Sequence, residues 1–281
     1  MPFPELAFVM AQFPDLLDME ELARGGQKVV YSARSNYHGR IVLKLTKPDD
    51  RAFREVIAVK ESGFSHVPQI LSHGHFTSPD EKFLYLIEER VEGETLRKRL
   101  LRQTPLPVEE TMQLLRTLLQ TAVEIEACHL VHRDIKPENI MVESDGRYWL
   151  LDFGIARHLD KESLTKTAES FGPATLGYAA PEQLRNLKRD VDIRADLFAI
   201  GLVTYECLAG QNPYTDGAQG VMEILKRVST IQPPPLSIPG DSSGELYQFI
   251  STLMARPASL RPRSASEALD WFSKMEASVQ L

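Results

Sequence analysis

The stretch Val131-His132-Arg133-Asp134-Ile135-Lys136-Pro137-Glu138-Asn139 constrains this chain more than any other. It is answered eighteen residues after Asp134 by Asp152-Phe153-Gly154. Asp134, Lys136, Asn139 and Asp152 bring three charges and an amide together. They are a poor way to build a core, because buried charges need partners. They suit instead a site that holds a triphosphate, two metal ions and a hydroxyl. Asp134 would accept the proton of an attacking hydroxyl, and Lys136 would neutralise a phosphoryl group in flight. Asn139 and Asp152 offer oxygen ligands to hard divalent cations.

The run resembles the catalytic loop of the eukaryotic-type (Hanks-type) serine/threonine protein kinases, in a compact bacterial form. The signature is a known one, matched here and not discovered. The resemblance implies an α+β, bilobal protein-kinase-like fold. Its N-lobe, about 19–90, would hold a small five-stranded sheet and one helix, and its C-lobe, about 93–275, would be mainly helical. A kinase domain over 19–275 would then follow an N-terminal extension of 1–18 and precede a tail of 276–281. ATP and Mg2+ (or Mn2+) are the expected ligands, bound between the lobes, and the expected partner is a protein substrate with a Ser or Thr acceptor.

Composition fits this. The chain has 281 residues, 43% hydrophobic and 25% charged, an ordinary globular balance with ample core. Its diffuse net charge of −7 argues against nucleic acid or anionic membrane as the main partner. No apolar run is long enough to span a membrane. Glu5 and Asp15 and the lack of a basic n-region argue against a signal peptide. Cys128 and Cys207 sit in apolar helical patterns and are expected as buried free thiols, consistent with a reducing cytoplasm. His73 and His75 alternate on a predicted strand, and two ligands alone do not make a metal site.

Residues 1–18 are apolar and punctuated by Pro2, Pro4 and Pro14, and read as a short outer helix or a disordered arm. Three strands are expected from Leu22 to Leu45. Between the first two lies Ala23-Arg24-Gly25-Gly26-Gln27-Lys28, which resembles the family's Gly-rich loop. Aligned on Val30, Tyr31 and Ala33, its second glycine is Gly25, while Ala23 and Lys28 replace the first and third. Gly25 and Gly26 would let backbone N–H groups approach phosphate. Lys28 would add a charge near the nucleotide or be solvated.

Lys44 lies in a predicted strand between apolar neighbours and needs anionic partners. By resemblance these are the nucleotide phosphates and a glutamate on the next helix, 49–62, where Glu55 is preferred to Glu61. Strands are expected near 69–76 and 82–88, the second a buried central one through Phe83-Leu84-Tyr85-Leu86-Ile87. It leads to Glu88-Glu89-Arg90-Val91, which resembles the hinge. There the backbone of Glu89 and Val91 would read the adenine edge, with Met141 also at the nucleotide. Glu88 falls where an apolar or threonine gatekeeper is usual. Either it pairs with a buried base such as Lys44, or the register is off by one.

Thr95 is a candidate cap for a short helix. Val108 to His129 reads as a long amphipathic helix leading to the catalytic loop. Residues 152–182 are longer than an ordinary connection. In the family this is the activation segment. Thr165 and Thr167 are candidate phosphorylation sites, and Arg133 is the residue that would read such a phosphate. Thr175 matches the threonine that bonds the catalytic Asp and Lys in serine/threonine kinases. Asp196, an acid in an apolar helix from Asp192 to Gly210, needs donors, and by resemblance anchors the backbone of the catalytic loop. Glu182 and Arg261 resemble the family's ion pair.

Asp134, Lys136, Asn139, Asp152 and Lys44 together favour an active kinase. A pseudokinase-like nucleotide-binding scaffold draws support from the eroded Gly-rich loop and Glu88. A small-molecule phosphotransferase of the aminoglycoside-kinase type is disfavoured by Thr175, Glu182 and Arg261. A regulatory partner protein is a further expectation, and the sequence is silent on oligomeric state.

Overall fold

A computed structural model describes residues 3–26, 28–47, 56–57, 59–78, 81–153, 176–185 and 191–276. Among them, those up to Glu92 form one compact unit and those from Gly93 onward a second.

The first unit is built on helix α1 (Leu6–Gln12) and strands β1 (Leu16–Arg24), β2 (Lys28–Ser35), β3 (Gly39–Thr46), β4 (Ile70–Thr77) and β5 (Lys82–Glu89). The strands form one antiparallel sheet in the order β1-β2-β3-β5-β4. Successive side chains point to opposite faces. One face therefore presents Val29, Tyr31 and Ala33 from β2, Ile41, Leu43 and Leu45 from β3, and Phe83 from β5. These pack with Phe3, Val9 and Met19 into a single cluster. The other face carries Lys44, Leu84, Leu86 and Glu88, all at most 9% exposed.

The first eighteen residues are more integral than their sequence suggests. Phe3 and Val9 are buried in the sheet's own core, and β1 already begins at Leu16 instead of Leu22. Aromatic rings make the join. Phe13 meets Phe76 and Tyr85 edge-on, with centroids 5.9 and 5.0 Å apart. Of the helix expected over 49–62, residues 56–57 and 59–62 are helical. Glu55 lies outside the described residues, and Glu61 is exposed.

The second unit contains strand β6 (Glu94–Thr95), helices α2 (Leu96–Arg102) and α3 (Val108–Ala127), strands β7 (Ile140–Val142) and β8 (Tyr148–Leu150), and helices α4 (Pro181–Leu184), α5 (Ile193–Ala209), α6 (Val221–Thr230), α7 (Glu245–Leu253) and α8 (Ala265–Glu276). Helix α5 is its axis. It is buried nearly all round, as an all-round apolar helix must be, and α3, α7 and α8 pack on it. Its ends are capped as the sequence implies. The Asp192 side chain accepts the Arg194 N–H at 3.0 Å, and Gly210 turns left-handed at φ 80°. Thr95 caps α2 by accepting from Lys98 N.

Strands β6, β7 and β8 form a small antiparallel sheet. Gly93 enters it at φ 141°, where a Cβ would lie 2.2 Å from the Val142 carbonyl oxygen. Only glycine fits that approach. Helix α3 stops at Ala127, two residues short of expectation, because His129 adopts φ 57°. Cys128, expected to be buried, is instead exposed at the helix end, whereas Cys207 is buried in α5. No helix among the described residues is long and apolar enough to cross a membrane.

Candidate active site

The loop after α3 is held from below by one carboxylate. Asp196, in the first turn of α5, accepts the His132 N–H at 2.7 Å through Oδ2 and the Arg133 N–H at 2.8 Å through Oδ1. Burial pushes its pKa up to about 6, with the two backbone donors working against that rise. A carboxylate so clamped fixes two consecutive peptide groups.

The loop also carries strained backbone. Arg133 and Asp152 have φ of 67° and 57°, and His129 precedes them at 57°. A left-handed non-glycine residue costs about 1–2 kcal/mol. Such strain persists where surrounding contacts over-determine it, and it clusters at functional sites.

His132 is fully buried and supplies several of those contacts. Its Nδ1 accepts the Asp134 N–H at 3.3 Å. Its Nε2 lies 3.1 Å from the Leu151 carbonyl, which can only accept. The ring therefore carries its proton on Nε2. Phe153 packs against it with centroids 4.8 Å apart. One imidazole thus links the segment bearing Asp134 to the segment bearing Asp152.

Asn139 makes a second link. Its Nδ2 donates to the Asp134 carbonyl at 2.9 Å, its N–H to the Lys136 carbonyl at 2.9 Å, and its carbonyl accepts the Leu151 N–H at 2.7 Å. With Nδ2 committed, Oδ1 is the acceptor left to the site. Lys136 Nζ stands 3.2 Å from Asp134 Oδ1, with side chains 14% and 15% exposed. Asn139 Oδ1 and the Asp152 carboxylate would offer a cation an all-oxygen donor set. That matches the preference of Mg2+ or Mn2+ and not that of zinc. Among the described residues no group of three or more His, Cys, Asp or Glu offers a separate metal centre.

Two groups of contacts around the loop have no counterpart in the sequence reading. Gln183 of α4 donates from Nε2 to the Arg133 carbonyl at 3.2 Å and accepts the Ala180 N–H at 2.9 Å. Arg97 of α2 reaches Glu138 at 2.8 Å, Glu206 at 2.7 Å and the Tyr178 hydroxyl at 2.6 Å. The Tyr178 hydroxyl in turn donates to Glu206. Burial alone would lower the Arg97 pKa, but Tyr178 and Glu206 outweigh it and hold the guanidinium charged. Burial first, and then Glu206, raise the Tyr178 pKa. Glu206 was the signal available, a second acid in the apolar α5. Glu182 and Arg261, paired by resemblance in the sequence, lie 2.6 Å apart.

In the sheet unit, Lys44 Nζ donates to Glu88 Oε2. Of the two readings of Glu88, the pairing with Lys44 is the one the structure contains. Ala23 and Arg24 stand opposite Val30 and Val29. The Gly25 N–H closes the β1–β2 turn on the Lys28 carbonyl at 2.8 Å. Gly25 and Gly26 are exposed, and Lys28 and Val30 are half-buried. The Glu89 N–H is engaged by the Gln69 carbonyl at 3.0 Å, whereas Val91 N–H has no backbone acceptor among the described residues. Met141 lies on β7 opposite Trp149 and half-buried. Glu55, Thr165, Thr167 and Thr175 lie outside the described residues.

Comparison with known proteins places this geometry. The family model described as the protein kinase domain matches residues 18–272. The chain is 32% identical over 219 residues to the "Probable serine/threonine-protein kinase PknB" of Lactococcus lactis subsp. lactis, covering 74% of this chain and 33% of that protein. It is 28% identical over 275 residues to the "Probable serine/threonine-protein kinase pknA2" of Bifidobacterium longum, covering 94% and 35%. With the "Serine/threonine-protein kinase PknE" of Mycobacterium tuberculosis it shares 34% over 223 residues, covering 75% and 38%. The matched part is thus about a third of each relative's length. With the catalytic-loop residues clamped as described and the family model spanning nearly all of its length, the chain belongs to the protein kinase domain family.

Proposed function

We propose that this chain transfers the γ-phosphoryl group of ATP to serine or threonine hydroxyls of a protein substrate. The observation that carries the reading is the fixed loop. Asp134, Lys136 and Asn139 are locked to one another, and the backbone just before them is clamped by Asp196. Phosphoryl transfer asks for positioning and charge neutralisation more than for covalent chemistry, and a rigid loop supplies positioning.

The acceptor oxygen attacks the γ-phosphorus as the bond to the β-phosphate oxygen breaks, and ADP leaves. Asp134 takes the hydroxyl proton. Lys136, beside it, offsets the charge on the group in transfer. Lys44 holds phosphate oxygens of ATP. Asn139 Oδ1 and Asp152 would hold Mg2+ or Mn2+, which when bound neutralises phosphate charge. A proton-accepting carboxylate contributes roughly 10²–10⁴ in rate.

Regulation by phosphorylation of Thr165 or Thr167, read by Arg133, belongs to the same proposal, as does a cytoplasmic site of action. Serine/threonine chemistry is supported by Lys136 two residues after Asp134, by Thr175, and by the names of the relatives. A panel of protein and peptide acceptors set against small alcohols and aminoglycosides, with radioactive ATP, tests the substrate class. Transfer to the protein acceptors is expected. Transfer confined to the small molecules would overturn the reading, and nucleotide binding without any transfer would favour a scaffold.

A further inference from the structure

Lys44 has a partner on its own sheet. In the β3–β5 register Lys44 stands opposite Leu86, and Glu88 stands opposite Val42. Residues two apart on a strand share a face. Lys44 and Glu88 are therefore diagonal neighbours on one face, within reach of long side chains. Their side chains are 10% and 11% exposed and joined Nζ to Oε2. Their neighbours on that face of β5, Leu84 and Leu86, are buried.

Such a pair is a poor device for stability alone. Both ions lose their water, and two apolar side chains of similar size would serve the fold as well. What the pair supplies is position. Both residues sit on paired strands, whose side chains are placed more sharply than those of loops. A lysine without a fixed partner has four rotatable bonds and many rotamers to lose on binding an anion.

We propose that Glu88 is a positioning residue for Lys44, a counter-ion built into the adjacent strand that holds the ammonium where nucleotide phosphate will meet it. This rests on the assignment of Lys44 to ATP made above. Glu88 itself acts through Lys44 and is not assigned to the reacting atoms.

The test compares the full chain with Glu88→Gln and Glu88→Asp, using steady-state kinetics in ATP and direct titration with Mg–ATP. Glu88→Gln should raise KM for ATP and the nucleotide Kd by about tenfold, with kcat changed less than about threefold, the size expected for one lost interaction felt in the ground state. Glu88→Asp, which keeps the charge on a shorter arm, should recover at least about half of that loss on a logarithmic scale. Lys44→Met should remove the sensitivity, so that adding Glu88→Gln to it changes Kd no further. Unchanged KM and Kd in Glu88→Gln would overturn the proposal and return the positioning of Lys44 to a carboxylate of helix 49–62. Tighter nucleotide binding in Glu88→Gln would also overturn it, since Glu88 would then compete with phosphate. A loss of kcat in step with the folded fraction would reduce Glu88 to a structural role. If the wild-type chain transfers no phosphate at all, the functional reading fails by itself. The Mg–ATP Kd then decides this inference, a tenfold weakening supporting it and an equal value overturning it.

Discussion

Arg261 meets Glu182 in a two-pronged ion pair, Nη1 to Oε1 at 2.6 Å and Nη2 to Oε2 at 3.1 Å, with the arginine side chain wholly out of solvent. Its other N–H groups reach the carbonyls of Ala255 at 2.7 Å, Arg194 at 2.8 Å and Arg256 at 3.0 Å. All five guanidinium donors are thereby used, and the guanidinium carbon lies 4.9 Å from the Phe198 ring centroid. Arg261→Ala strands a buried carboxylate and three carbonyls, and should cost about 3–5 kcal/mol. Arg261→Lys has too few donors and no planar fork, and should recover less than half of that. Urea unfolding measures both, and an unchanged midpoint in Arg261→Ala would contradict the assignment.

Asp196 gives the stability of the chain a pH signature. Its folded pKa of about 6 lies above the ordinary 3.8. Between roughly pH 4 and pH 6 the folded state therefore binds more protons than the unfolded one, and this group's contribution falls as pH rises through that window. The total change is on the order of 3 kcal/mol. Asp196→Asn cannot ionise and should abolish the slope. The difference in unfolding free energy between wild type and Asp196→Asn, followed from pH 4 to pH 7, is the measurement. A flat difference would sink the account of Asp196.

The Arg97 network should behave as one unit. Arg97→Met leaves Glu206, only 7% exposed, without its cation, and Tyr178→Phe removes the hydroxyl that donates to the same carboxylate. A double-mutant cycle on Arg97 and Glu206 should give a coupling energy of about 1–3 kcal/mol. Additive effects would show that the contacts are incidental.

Gly201 of α5 lies tightly against the C-terminal end of α7. A Cβ there would sit 2.7 Å from Leu253 Cβ and 3.0 Å from Met254 Cγ. Gly201→Ala should cost about 1–3 kcal/mol through overpacking despite alanine's better helix propensity. A thermal midpoint equal to or above that of wild type would show that the helices have room to part.

What could be read in advance follows a physical rule. Asp196 and Lys44 stood out because each is a charge in an apolar run, and burial obliges such a group to find partners. The continuous apolar run Phe83–Ile87 gave away a central strand, since both its faces are covered. Arg97 carries no such signal. Its three partners lie 41, 81 and 109 residues away, and its own helix is rich in basic residues. Gln183 is silent in the sequence, because a glutamine beside Pro181 and Glu182 has no periodic signature. The burial of Phe3 and Val9 was hidden by prolines that suggested a loose arm. Cys128 was misplaced because the left-handed turn at His129 ends α3 early and brings the thiol to the surface.

The central claim is that the clamped loop delivers a phosphoryl-transfer base at Asp134. The direct measurement is the intact mass, with mapped phosphosites, of the full chain and of Asp134→Ala after incubation with ATP and magnesium, beside a generic protein acceptor. The account predicts whole phosphate increments on serine and threonine for wild type, dependent on magnesium. It predicts none for Asp134→Ala, although that variant still folds and unfolds cooperatively. Equal phosphate incorporation by Asp134→Ala, or none by wild type into itself or the acceptor, would contradict it.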